Sequence, residues 1–125
     1  MVFKSTDDTL AGVLGFNVRD SIYLALLTKF SVTREELPKH LDKFEMLLEN
    51  ISGPRAAKVL YRAIAKRLYS ELKLTFVADP KLGLREYVEQ AKSRLLKTNP
   101  RTAEKLDTEI RARNESKASE DEGCN

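Results

Sequence analysis

The sequence predicts an all-α protein: a compact bundle of four main helices plus short helices, with a disordered polar C-terminal tail. Three observations predict it. Apolar residues recur at three- and four-residue spacing in four separate segments, the period of a helix that buries one face. Helix-start and helix-stop chemistry punctuates those segments at Asn17, Thr33, Gly53-Pro54 and Asn99-Pro100. At 125 residues the chain is one domain long, and a domain of that size buries about two-thirds of its unfolded surface without staples.

Residues 1–16 read as an N-terminal arm. Leu10, Val13 and Leu14 are apolar, but Gly12 and Gly15 interrupt any regular element, so the arm is expected to dock through Leu14 and Phe16. A helical domain is expected over residues 17–98. Asn17 suits an N-cap and Asp20 the positive end of a first helix, which runs to about Phe30. Val18, Ile22, Leu26 and Phe30 form its buried stripe, Tyr23 and Leu27 widen it, and Leu24 sits apart from both. A helix apolar around most of its circumference is the one expected at the centre of the bundle.

Thr33-Arg34-Glu35-Glu36 has the capping-box form, in which two orphan N–H groups are satisfied reciprocally. Pro38 either confines that start to a short turn of helix or sits within its first turn, and a second helix proper follows over about Lys39 to Ile51. Its buried face is Leu41, Phe44, Leu47, Leu48 and Ile51. Pro54 biases Gly53 toward the extended region, which makes Gly53 an N-cap and Pro54 the first residue of a third helix, about Pro54 to Leu72. Ala57, Leu60, Ile64 and Leu68 cluster on one side of that helix. Arg55, Lys58, Arg62 and Lys66 lie on the other, within an arc of about 80°.

Lys73 to Gly83 breaks the helical period. Leu74, Phe76 and Val77 suggest a short extended segment, and Asp79-Pro80-Lys81 supplies turn chemistry. A fourth helix, about Leu84 to Lys97, buries Leu84, Val88, Ala91 and Leu95, with Tyr87 at the margin. Residues 99–125 read as a frayed helix offering only Leu106 and Ile110 for burial. From Arg113 they read as a disordered tail too polar to offset the entropy of ordering. The expected core is Ile22, Leu26, Phe30, Phe44, Leu48, Ile51, Leu60, Ile64, Leu68, Val88 and Leu95.

The residues of most site chemistries are missing from the sequence. The longest apolar run is Leu24 to Leu27, far short of the ~18 residues of a membrane span. The first residues lack the basic-then-apolar pattern of a secretory signal, so a cytoplasmic address and no membrane partner are expected. One cysteine, Cys124, excludes an intramolecular disulfide. His40 is the single histidine and has no metal-ligand spacing around it. Asp42, Glu45 and Glu49 share a helix face with Lys39 and Lys43 and read as ion-paired support. Neither Gly12-x-x-Gly15 nor Ser52-Gly53-Pro54 is a phosphate cradle, and no G-x-S-x-G elbow occurs. No catalytic residue, metal site or cofactor is therefore expected, and the protein reads as a non-enzyme.

Charge supplies the positive signal. Residues 1–52 carry 6 basic and 8 acidic side chains, residues 53–98 carry 11 and 4, and residues 99–125 carry 5 and 7. The basic stripe of the third helix, Arg55, Lys58, Arg62 and Lys66, is flanked by Arg67 and Tyr69, and the fourth helix adds Lys92 and Arg94. Such a stripe suits an anionic partner: nucleic acid, an acidic protein surface, or the chain's own Glu120-Asp121-Glu122. The plainer account is the solvated face that any surface helix needs, though that account does not explain the single sign.

The segments VRDSIYLALLTKFSVTREELPKHLDKFEMLLENISGPRAAKVLYRAIAKRLYSEL and LGLREYVEQAKSRL carry a resemblance over about residues 18–96. An apolar first helix ending in a Lys29-Phe30-Ser31-Val32 turn, Phe44-x-x-Leu47-x-x-x-Ile51-x-Gly53, and an Ala-rich third helix closing on Leu68 and Leu72 resemble the thaumarchaeal Nitrosopumilus output-domain family. The resemblance implies an archaeal, intracellular, regulatory or signalling module without catalytic residues. It is expected to work through a protein partner or self-association. The alternative expectation is a nucleic-acid-binding protein that uses the basic face of the third helix.

Overall fold

The computed structural model describes residues 1–111, and the expected tail from Arg113, with Glu120–Glu122 and Cys124, lies outside the described residues. The described chain is all-helical and closes on one core. Its α-helices are α1 (Val2–Leu14), α2 (Phe16–Phe30), α3 (Leu41–Glu71), α4 (Leu84–Thr98) and α5 (Pro100–Ile110), with a 3-10 segment at Arg34–His40 between α2 and α3. None of the described helices is long and apolar enough to cross a membrane.

The N-terminal segment is not an irregular arm. Gly12 lies within α1, and only Gly15 breaks the chain. The buried face of α1 is Val2, Ser5, Thr6, Thr9 and Leu10, so hydroxyl side chains occupy positions that apolar periodicity would assign to large hydrophobes. Gly15 (φ 90, ψ 162) and Gly53 (φ 86, ψ 159) share one backbone conformation. It lies in a region essentially open to glycine alone, and at each position one helix stops and the next begins within a residue. Gly53 therefore keeps the extended ψ that Pro54 imposes but reverses φ, and α3 bends there into two arms. Gly15 also displaces the expected Asn17 cap, because its carbonyl accepts the Arg19 N–H at 3.1 Å and starts α2 at Phe16.

The Thr33 capping box forms: Glu36 Oε1 accepts the Thr33 N–H at 3.1 Å. Lys39 and His40 belong to the 3-10 segment rather than to the following helix, since Pro38 has no N–H to offer an α-helical bond. The α4 N-terminus is capped from a distance. Gly83 has no side chain to cap with, and the Glu45 carboxylate of α3 takes the Arg85 N–H at 2.7 Å. An added Cβ at Gly83 would stand 2.6 Å from Glu45 Oε1. Burial raises the Glu45 carboxyl above its ordinary value, opposed by the Arg85 N–H.

The first long helix is not the centre. Helix α3 packs against α1, α2, the 3-10 segment and α4, while α5 packs against α4, the 3-10 segment and α1. Ala57, Leu60, Tyr61, Ile64, Ala65, Leu68 and Tyr69 give the second arm of α3 the widest buried face of the described elements. Of the expected core, Ile22, Leu26, Phe44, Leu48, Leu60, Ile64, Leu68, Val88 and Leu95 are buried, and Phe30 is half-buried under Lys43. Ile51 is not: it is 56% exposed. It stands in the last turn before the Gly53 bend, where Glu49 to Ser52 are all exposed and no element covers them.

The segment after α3 forms no strand. Tyr87 is buried rather than marginal; its hydroxyl donates to Asp79 O at 2.9 Å and accepts the Asp79 N–H at 3.0 Å. Leu74 and Phe76 pack on the core, and the Lys81 N–H on Asp79 Oδ1 makes the expected turn. Helix α5 is a full helix and not a frayed one. Asn99 caps it, Pro100 opens it, and it buries Ala103 and Leu106. Its Glu109 carboxylate accepts the Val2 and Phe3 N–H groups at 2.9 and 3.0 Å, capping α1. Lys39 in turn donates to the Thr108 and Glu109 carbonyls that end α5.

Candidate functional site

The basic stripe is real as geometry. Arg55, Lys58, Arg62 and Lys66 are exposed along one side of the second arm of α3, opposite the buried Ala57–Leu60–Ile64–Leu68 face. They differ in what they touch. Lys58 Nζ donates to the Pro80 carbonyl at 3.0 Å and ties the 72–83 segment to the helix. Arg67 reaches Asp8 of α1 at 3.8 Å. Arg55, Arg62 and Lys66 have no hydrogen-bond or ion-pair partner among the described residues.

The other predicted residues do not join that surface. Tyr69 is 2% exposed, and its hydroxyl donates to the Tyr87 carbonyl at 2.6 Å. Its ring meets Phe76 edge-on, and burial raises its hydroxyl above the ordinary tyrosine value. Tyr69 therefore does not flank the stripe as a surface residue open to a partner, as the sequence led one to expect. Spacing along α3 places it within the arc of the stripe, but at this end of the helix Phe76 and Tyr87 from beyond α3 cover it. Arg94 is turned to the same region: Nη1 donates to Thr75 O at 2.6 Å and its guanidinium lies 5.9 Å from the Tyr69 ring centre. Lys92 faces α5, bonded to Asp107 at 3.0 Å and 3.5 Å from Glu89. The hydrogen bond from Asp107 raises the Lys92 ammonium, and the same bond, helped by Arg111, lowers Asp107. Lys92 and Arg94 are thus structural ties.

A feature outside the predicted set lies beside the stripe. Helix α1 runs antiparallel to the second arm of α3: Ser5 meets Glu71 and Asp8 meets Arg67. Between them is an open groove of about 640 Å³ lined by Thr9, Gly12, Val13, Ala63, Lys66 and Ser70, with Asp8, Arg67 and Glu71 toward one end. Val13 on α1 is 60% exposed. Val59, one turn before Ala63 on α3, is 54% exposed and extends the apolar floor. A Cβ on Gly12 would meet nothing within 4 Å. On the far side of α1's corner, Phe16, Leu24 and Leu27 are exposed along the outer side of α2. The isolated position of Leu24 was the available sign of that second stripe. Val59 had no such sign, because Lys58 and Arg62 mark its side of the helix as charged.

No group of three potential metal ligands occurs among the described residues. In comparison with known proteins, the chain matches no family model, no curated protein and no solved structure.

Proposed function

We propose that the protein is a non-catalytic interaction module that docks a protein partner on the outer face of α3. The regulatory or signalling output role implied by the sequence resemblance fits that reading. One observation carries it: Arg62 and Lys66, cations without partners among the described residues, stand beside the exposed apolar side chains of Val59 and Val13. An apolar patch rimmed by polar groups is the signature of a protein contact, and arginine is enriched in such contacts.

The nucleic-acid reading keeps one supporting observation, the single sign of Arg55, Arg62 and Lys66. A phosphate backbone asks for cations and has no use for the apolar column beside them. Affinity capture with the wild-type chain and with Val59→Glu, beside a titration of labelled duplex DNA across a salt series, separates the two. The expected result is a protein retained by the wild type, released by Val59→Glu, and no DNA binding at physiological salt. Absence of any captured protein, with DNA affinity falling at a log–log slope of about −3 for three phosphate contacts, would assign the face to nucleic acid instead.

A further inference from the structure

We infer that the groove between α1 and the second arm of α3 seats an acidic amphipathic helix of a partner protein. The inference rests on the protein-docking reading above and names the chemistry of the occupant. The floor is apolar and low: Val13, Ala63 and Val59 offer contact area, while Gly12 and Ala63 leave space for another helix to lie close. Two antiparallel helices with a furrow between them are the setting for helix-in-groove recognition, which is read by anchors at i, i+3, i+4 and i+7. From Ala63 to Glu71 the furrow runs about 12 Å along α3, or about two turns of an occupying helix, with Val59 one turn beyond.

Charge selects the sign of that helix. Of the acidic side chains at the groove, Asp8 pairs with Lys4 at 3.0 Å and Arg67 at 3.8 Å, while Glu71, which accepts from the neutral Ser5 hydroxyl at 3.4 Å, keeps its charge. Lys66, on the wall, and Arg62, one turn back, have no such partner among the described residues. Lys4, Arg62, Lys66 and Arg67 thus outnumber Asp8 and Glu71 around the groove, and a helix with glutamates or aspartates flanking its apolar stripe complements that net positive charge. The chain's own residues 112–125 supply carboxylates but no large apolar side chain, so they do not match the floor.

The test uses the full chain and a labelled synthetic peptide of about 18 residues, with leucines at i, i+3, i+4 and i+7 spacing and glutamates flanking them. Two control peptides accompany it, one with every glutamate replaced by lysine and one with the leucines scrambled off a single face. Fluorescence anisotropy should show binding of the acidic peptide alone. Gly12→Leu fills the groove from a position with open space. It should weaken binding by about tenfold or more, as removal of a central contact does, with thermal melting at or above wild type. Arg62→Glu with Lys66→Glu should weaken it similarly and make the lysine peptide the better ligand. Equal binding of all three peptides, or acidic-peptide affinity unchanged in Gly12→Leu, would overturn the inference. Failure of the acidic peptide while wild type, and not Val59→Glu, retains a protein partner sinks this occupant and spares the docking reading. Failure of both removes both.

Discussion

Thr6 and Thr9 hold their hydroxyl oxygens buried with no hydrogen-bond partner among the described residues. An unsatisfied buried polar group costs about 1–3 kcal/mol. Replacing Thr6 with valine, of similar shape and helix propensity, removes that cost, so Thr6→Val should stabilise the fold by about 1 kcal/mol. Thermal denaturation should then show a rise of about 4 °C, and a fall would mean that the hydroxyl is satisfied in solution. The same residues explain why α1 was illegible. Hydrophobic periodicity detects large apolar side chains, and the inward face of α1 is mostly serine and threonine. At the candidate site the exposed positions of Arg55, Lys58, Arg62, Lys66 and Arg67 followed from helical spacing alone. What spacing does not contain is the second partner of each side chain. Lys58, Lys92 and Arg94 are occupied by groups 15 to 22 residues away in sequence, and only the folded chain reveals it.

Among the elements, the two glycine corners carry the clearest requirement. At Gly53 an added Cβ has open space, so the cost of Gly53→Ala comes from φ 86 and not from a clash. Such strain is worth about 1–3 kcal/mol. Gly12→Ala, inside α1 and equally uncrowded, should do the opposite and stabilise by up to about 1 kcal/mol. Urea denaturation of the two variants should therefore move the midpoint in opposite directions; a shift of the same sign would contradict the corner geometry. The elements from α2 to α4 were legible within a few residues because their faces are built from leucine, isoleucine and valine at helical spacing, with a capping box or proline at their ends. The corner conformation was half legible: Pro54 dictates ψ at Gly53, whereas φ is set by the direction in which the two arms must pack.

At the scale of the whole molecule, the fold is closed by contacts between its first and last described helices. Glu109 caps α1, and Lys39 covers the carbonyls that end α5. A lost N-terminal cap costs about 0.5–2 kcal/mol. Glu109→Ala should therefore destabilise by about 1 kcal/mol. Amide exchange should show the loss concentrated at the start of α1, and a uniform loss across the chain would argue against the cap. The all-helical class was legible in the sequence, but the hub was not. Counting apolar positions around α2 favoured it as the centre, yet Leu24 and Leu27 face outward and the second arm of α3 takes that place.

The Glu109 cap also bears on how the chain is made. Synthesis proceeds from the N-terminal end, so α1 is made before the carboxylate that caps it, which follows its first residues by more than a hundred others. A 13-residue helix is marginal by itself in water, and this one has a hydroxyl-rich inner face and open amide donors at its start. Until α2 and α3 follow, α1 has nothing against which to bury its inner face. Its first turn is completed only when residue 109 arrives, so an end of the helix that is made early is among the last parts of the fold to settle.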